Sequence, residues 1–236
     1  MSKRKPFRIL ELFSGSRSLG VIAEAMGFEV CSVDWKPFPG TTIVADIRGL
    51  KPADLPWVPS FTWASPDCTS FSICACSRHR KDLQPISPTA VMGDALARKT
   101  LELVDWSGGG YVIENPVGLL RKMPFMRGRD RRTVTYCAYG DRRMKPTDLW
   151  SNMYRDVINP NGWEPRPQCY NNRRGCHHDR QPRRWKDRKE RGLQKLGTSG
   201  MRGSYERSKV PEQLVREVLI NAHRMYLAGE GPWSNK

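Results

Sequence analysis

Short apolar runs that end in polar or turn residues recur along the first two thirds of the chain. Phe7-Arg8-Ile9-Leu10-Glu11-Leu12-Phe13 runs into Ser14-Gly15-Ser16 and predicts a buried strand meeting a turn. Leu19, Val21, Ile22, Ala25 and Met26 follow at helical spacing, with Gly27 as the stop. Residues 28–33 predict a second strand, ending at Asp34-Trp35. Residues 43–45 lead to Asp46-Ile47, 61–64 to Ser65-Pro66, and 111–113 to Glu114-Asn115-Pro116. Residues 133–137 predict another strand. Residues 91–106 predict a packing helix through Ala95, Leu96, Leu101, Leu103 and Val104. Residues 210–227 predict a closing amphipathic helix, with Pro211 in its first turn and Leu214, Val218 and Ala222 along one face. Strand and helix patterns that alternate in this way predict an α/β open sheet, mostly parallel. Its ligand crevice should lie along the carboxyl edge of the strands.

Composition narrows the classes. The chain has 236 residues, enough to bury a core without disulfides or metals, and a formal net charge of +16. No apolar run reaches the ~20 residues that span a bilayer, and no apolar stretch follows the start, so neither membrane insertion nor export is expected. Eight tryptophans argue against a disordered chain. Seven cysteines do not pair evenly, which favours reduced thiols in a cytoplasm. The excess of positive charge requires an anionic partner.

That charge has an address. Between residues 160 and 207 there are 13 Lys/Arg and five Asp/Glu, a net +8 in a stretch with few aliphatic residues. The expected organisation is a catalytic part over 1–159, a small basic segment over 160–207, and a return to the first part over 208–236.

Four strand ends carry candidate chemistry. Cys68, in Ser65-Pro66-Asp67-Cys68-Thr69-Ser70-Phe71-Ser72, would offer a thiolate to the crevice. Glu114 can act as an acid or hydrogen-bond a base ring nitrogen. Asp34 and Asp46 stand where open sheets hold a ribose or an amine. Each has a plainer reading: a loop cysteine, a cap, a turn former.

Together these residues resemble the cytosine-C5 DNA methyltransferase family. Leu12-Phe13-Ser14-Gly15 is similar to its cofactor turn, Asp34-Trp35 to its acidic-Trp pair, and Asp46-Ile47 to its Asp-Ile pair. Pro66 to Ser72 resembles the nucleophile loop Pro-Pro-Cys-Gln-x-Phe-Ser, and Glu114-Asn115-Pro116 the Glu-Asn-Val motif. Tyr139-Gly140 with Arg143 and Lys145, and Ser208-Lys209-Val210-Pro211 before the last helix, resemble two later elements. The order is the family's, over about 1–150 and 205–225.

The resemblance implies a Rossmann-like fold that binds S-adenosylmethionine. It also implies transfer of a methyl group to a flipped cytosine through a covalent adduct of Cys68 with C6. Catalysis would fall to Cys68, Glu114, Arg143 and Lys145. The cofactor would meet Phe13, Ser14, Gly15, Arg17, Asp34, Trp35, Asp46, Ile47, Pro66 and Ser208. The basic segment lies where the family recognises its target. Arg173, Arg174, Arg183, Arg184, Lys186 and Arg188 would therefore contact double-stranded DNA, a solvated charged loop being the plainer reading.

Three features depart from the family pattern. Arg17-Ser18 replaces a glycine pair; Arg17 could hold the cofactor carboxylate or stand in solvent. Asp67 replaces a proline and opposes activation of Cys68. Thr69 replaces a glutamine.

Cys169, Cys176, His177 and His178 are ligand types for zinc, although the spacing is not Cys-x-x-Cys and no fourth ligand is evident. A monomer is expected, in the cytoplasm of a prokaryotic or phage-infected cell, restriction-modification being one setting. The rivals are an RNA cytosine methyltransferase and an inactive DNA-binding protein on the same scaffold.

Overall fold

The computed structural model describes residues 6–169 and 208–234. Nine strands form there: β1 (Arg8–Leu12), β2 (Glu29–Asp34), β3 (Ile43–Val44), β4 (Phe61–Ala64), β5 (Arg80–Lys81), β6 (Gln84–Pro85), β7 (Gly110–Pro116), β8 (Arg131–Thr135) and β9 (Pro146–Ser151). Four α-helices accompany them: α1 (Gly20–Ala25), α2 (Cys76–His79), α3 (Pro88–Ser107) and α4 (Glu212–Ala228). Seven strands make one sheet in the order β3-β2-β1-β4-β7-β9-β8, and β5-β6 is a separate two-stranded hairpin. β1 pairs in parallel with β2 and β4, β2 with β3, and β4 with β7. Only β9 runs against its neighbours β7 and β8. This is a Rossmann-like open sheet whose strand order reverses between β1 and β4, the position at which such sheets bind ligands.

Side-chain alternation divides the core between the two faces. Ile9, Phe61, Trp63 and Val112 pack with α1 and α4 through Leu19, Ala23, Leu214, Val218 and Ala222. Leu10, Leu12, Ala64 and Ile113 pack with α3 through Ala97, Leu101 and Val104. α3 starts where Ser87 accepts from the Ala90 amide at 3.2 Å, with Pro88 following, and stops at Gly108, whose φ is +57°. The closing helix begins at Glu212 and lies against the sheet that opens the chain.

The regular strand-helix alternation is not fully realised. Between β2 and β4 the crossovers are made by 3-10 turns, Ile47–Gly49 and Pro52–Asp54, and after β7 by Leu119–Lys122 and Pro124–Met126. β9 escaped the hydropathy pattern because its centre carries Asp148. That side chain is fully buried, and it accepts from Arg121 at 2.5 Å, Arg131 at 2.9 Å and Thr133 at 2.8 Å. A paired charge behaves as a core residue, whereas a sequence reading treats it as surface. Packing also continues past the composition change at Asn159: Trp163 is buried and stacks on Tyr154 with ring centres 5.5 Å apart, and Cys169 is buried.

Candidate active site

β4 and β7 lie side by side with Ala64 opposite Ile113, so the chain leaves both strands at one edge. Cys68 is carried by the loop after β4, and Glu114 faces the same edge from β7. Asn115 joins them by donating from Nδ2 to the Pro66 carbonyl at 2.8 Å. β8 ends at this edge too, and β9 begins there, because β9 runs antiparallel to both neighbours. Tyr136 and Lys145 therefore arrive beside Glu114.

Glu114 is 5 % exposed. Its Oε1 accepts from the Tyr136 hydroxyl at 2.8 Å and lies 3.7 Å from Lys145 Nζ. Lys145 and Arg143 both sit over the Tyr136 ring, 4.6 and 5.4 Å from its centre. Burial pushes the Tyr136 phenol well above its ordinary range, and the Glu114 carboxylate adds to this. Tyr136 is thus a fixed donor. The sequence reading missed it because a Tyr inside an apolar strand pattern looks like core.

Arg143 is oriented by Asp141, which receives its backbone N–H at 2.7 Å and its Nε at 2.8 Å, and its Nη2 donates to the Lys209 carbonyl at 3.0 Å. The late motif is tied to the Glu114 edge in this way.

Cys68 is half-buried. Burial raises its thiol pKa, the charges of Asp67 and Glu114 raise it further, and Lys145 works in the opposite direction. Asp67 has a local task, since its carboxylate accepts from Thr69 N at 3.2 Å and Thr69 Oγ1 at 2.8 Å. It closes the 3-10 turn Thr69–Phe71 that follows the cysteine.

Behind that turn lies a second residue the sequence reading missed. Arg80, on the β5-β6 hairpin, is 5 % exposed. Its Nε donates to the Ser70 carbonyl at 3.0 Å and its Nη2 reaches Asp94 of α3 at 2.6 Å. The guanidinium lies over the Phe71 ring, 4.4 Å from its centre. Arg80 clamps the cysteine loop to α3.

A small cavity of about 60 Å³ opens at the end of β1, lined by Phe13, Ser14, Gly15, Trp63, Ser65 and Ser208 among others. Ser208 comes from the far end of the chain, and Val210 N donates to Ser18 Oγ at 3.1 Å nearby. Ser14 Oγ is buried without a hydrogen-bond partner. Asp34 accepts from the Gly15 amide at 2.9 Å and the Lys36 amide at 3.1 Å, and Trp35 beside it is 68 % exposed.

No family model matches the sequence, and no curated relative does. Similar solved structures do exist. The Dnmt2 methyltransferase of S. pombe gives a TM-score of 0.42 at 13 % identity, over 62 % of this chain and 49 % of that one. A mutant of Spodoptera frugiperda DNMT2 gives 0.44 at 15 %, over 61 % and 49 %. The Entamoeba histolytica methyltransferase EhMeth gives 0.46 at 12 %, over 63 % and 53 %. The chain spans about half the length of the solved structures it matches.

The remaining expected residues fall into three groups. Asp46 lies near the edge but is closed on Arg48, whose Nη2 is 2.5 Å away, and the side chain of Ile47 lies in the core, so only its backbone is at the edge. Arg17 was expected to hold the cofactor carboxylate or to stand in solvent. Its guanidinium is turned inward and bound to Glu24 and Ser32, away from the cavity where a cofactor carboxylate was expected. Arg173, Arg174, Arg183, Arg184, Lys186 and Arg188 lie outside the described residues, as do Cys176, His177 and His178. Cys169 is buried, and its amide donates to Thr135 Oγ1 at 2.9 Å. Among the described residues no group of three or more His, Cys, Asp or Glu is disposed to hold a metal, and no helix is long and apolar enough to cross a membrane.

Proposed function

We propose that this protein is an S-adenosylmethionine-dependent methyltransferase acting on carbon 5 of cytosine in double-stranded DNA. One observation carries the reading. The Cys68 loop is joined to the strand that bears Glu114, and Tyr136 and Lys145 hold that carboxylate, all at one edge of the sheet and next to the β1–β4 pair at which the strand order reverses.

The residues present fit the cofactor. The unpartnered Ser14 hydroxyl sits in a cavity with the Gly15 turn and Ser208, and Trp35 offers an exposed aromatic face. Ser14, Gly15 and Ser208 would hold its amino-acid end, and Trp35 its adenine. When bound, S-adenosylmethionine supplies an electrophilic methyl group on a sulfonium.

The chain's own residues make carbon 5 able to accept it. The Cys68 thiolate adds to C6, which makes C5 carbanion-like. Glu114 bonds N3 and the exocyclic amine as charge builds on the ring. Tyr136 fixes which oxygen of Glu114 faces the base. We assign the O2 contact to Lys145, which stands within ion-pair reach of Glu114, and the orientation of the Tyr136 face to Arg143. Loss of the C5 proton then expels the enzyme thiol. A base in a duplex must leave the stack to reach this edge, at about a few kcal/mol, and the basic stretch 160–207 would offset that through phosphate contacts.

A second reading is supported by the raised Cys68 thiol and by Asp67 beside it: a nucleic-acid binder that has lost catalysis. Mass spectrometry of nucleosides decides, after incubation of the protein and cofactor with DNA in one arm and RNA in another. The expected product is 5-methyl-2′-deoxycytidine in the DNA arm and no 5-methylcytidine in the RNA arm, abolished in Cys68→Ala. Product in the RNA arm alone moves the substrate to RNA. No product from either leaves the binder.

A further inference from the structure

Arg17 is the least expected residue of the β1 turn. It stands at φ +51°, a left-handed conformation that an arginine rarely takes, and Phe13 on the other side of the turn stands at +60°. Only 8 % of Arg17 is exposed. The side chain folds back from the turn. Nε donates to Ser32 Oγ at 3.2 Å, Nη2 to Glu24 Oε1 at 2.5 Å and Nη1 to Glu24 Oε2 at 3.3 Å. Ser32 in turn donates to Glu11 at 2.7 Å, and Glu11 accepts the amides of Leu19 and Gly20 at 3.2 and 3.0 Å, where α1 begins. Nε also lies 3.8 Å from Glu11 Oε2.

The guanidinium reaches beyond its own turn. Gly40 belongs to the loop that leaves β2 after Asp34 and Trp35. A Cβ on Gly40 would lie 2.3 Å from Arg17 Nη1, and Gly40 has φ +81°. The loop is therefore seated against the arginine, with its only side-chain-free residue at the contact. The 13–19 turn, which lines the cavity, and the 35–42 loop, which follows Asp34 and Trp35, meet on one side chain.

We propose that Arg17 is a positioning residue that latches the 35–42 loop to the 13–19 turn and so fixes that turn, and Trp35 beside it, at the mouth of the cavity. The latch rests on the reading of that cavity as the S-adenosylmethionine site. It explains why a left-handed position holds an arginine: the strain is offset by a charge-assisted network around a buried carboxylate. It also explains why the arginine is absent from the cavity it borders.

Arg17→Gly tests this, because glycine takes the left-handed turn without strain and removes only the side chain. Release of the 35–42 loop from the turn predicts a calorimetric Kd for S-adenosylmethionine raised about tenfold or more. The KM for the cofactor should rise with kcat within about twofold, the pattern of lost ground-state binding. Amide hydrogen exchange should accelerate in 13–19 and 36–42 and stay unchanged in β1 and β4, which a general loss of stability would not spare. Gly40→Ala should cost binding in the wild type and cost less in Arg17→Gly, since the arginine it clashes with is gone.

Should Arg17→Gly fold poorly, Glu24→Gln removes the partner at a half-exposed position and should shift binding and exchange the same way. Binding within about twofold of wild type together with unchanged loop exchange overturns the latch. If the wild type binds no S-adenosylmethionine, the cofactor reading falls. The exchange comparison then decides the latch alone: faster loop exchange upholds it and unchanged exchange overturns it.

Discussion

Cys68 is held by opposing charges, and their balance gives a titration with a definite sign. Burial, Asp67 and Glu114 disfavour the thiolate, while Lys145 favours it. In the free protein the alkylation rate of Cys68 by iodoacetamide should therefore rise with pH through a midpoint above the ordinary thiol value of 9.0. Asp67→Asn should lower that midpoint and Lys145→Met should raise it. The amide can still accept from Thr69, so the turn survives the first change. Peptide mass spectrometry separates Cys68 from the exposed Cys74 and from Cys31, whose burial pushes its pKa up to about 11. A midpoint in Asp67→Asn equal to or above that of the wild type would show that the Asp67 charge does not act on the thiol.

At the scale of elements, the Cys68 loop gains its fixed shape from a short hairpin. The β5-β6 hairpin turns through Asp82 and Leu83, both at positive φ, and returns Arg80 beneath Ser70 and Phe71. Gly93 lets α3 approach, since a Cβ there would meet Ser70 Oγ at 2.6 Å. Arg80→Ala would leave Asp94 and the Ser70 carbonyl without their partner, at a cost of about 3 kcal/mol. For a chain of this size that lowers the melting temperature by roughly 6–12 °C. Arg80→Lys should recover little of it, because one ammonium cannot reach both sides of the clamp. Thermal denaturation checks both, and a lysine variant as stable as the wild type would remove the clamp from the account.

Elements were legible from sequence to different degrees, for physical reasons. β1, β2, β4 and β7 are buried on both faces and stand out as apolar runs. α3 and α4 announce themselves by period, and α4 also by Pro211 in its first turn. β9 and the β5-β6 hairpin did not, since the first hides a paired Asp148 and the second is two residues per strand. At the site, Cys68 and Glu114 could be read from strand-end positions. Tyr136 and Arg80 could not, because what they touch is set by residues 22 and ten positions away.

The whole molecule carries +16, half of it between residues 160 and 207. If this charge neutralises about four phosphates, affinity for a DNA duplex should fall roughly a hundredfold between about 50 and 200 mM salt. A fluorescence-anisotropy titration at several salt concentrations measures the slope, and a flat response would take the basic stretch out of the interface.

The sequence by itself determined the alternation of buried strands, the ends at which polar chemistry collects, and the excess of positive charge. Those follow from local pattern and composition. Only the tertiary structure decided which of those ends meet. Parallel pairing of β4 with β7, and the reversal of β9, bring Cys68, Glu114, Tyr136 and Lys145 to one edge from positions 77 residues apart along the chain. It also decided the direction of Arg17. From sequence that charge stood beside a cofactor turn, free to face it. In the fold, a buried Glu11 and a nearby Glu24 draw it inward, because a carboxylate removed from water holds an adjacent cation more strongly than solvent does.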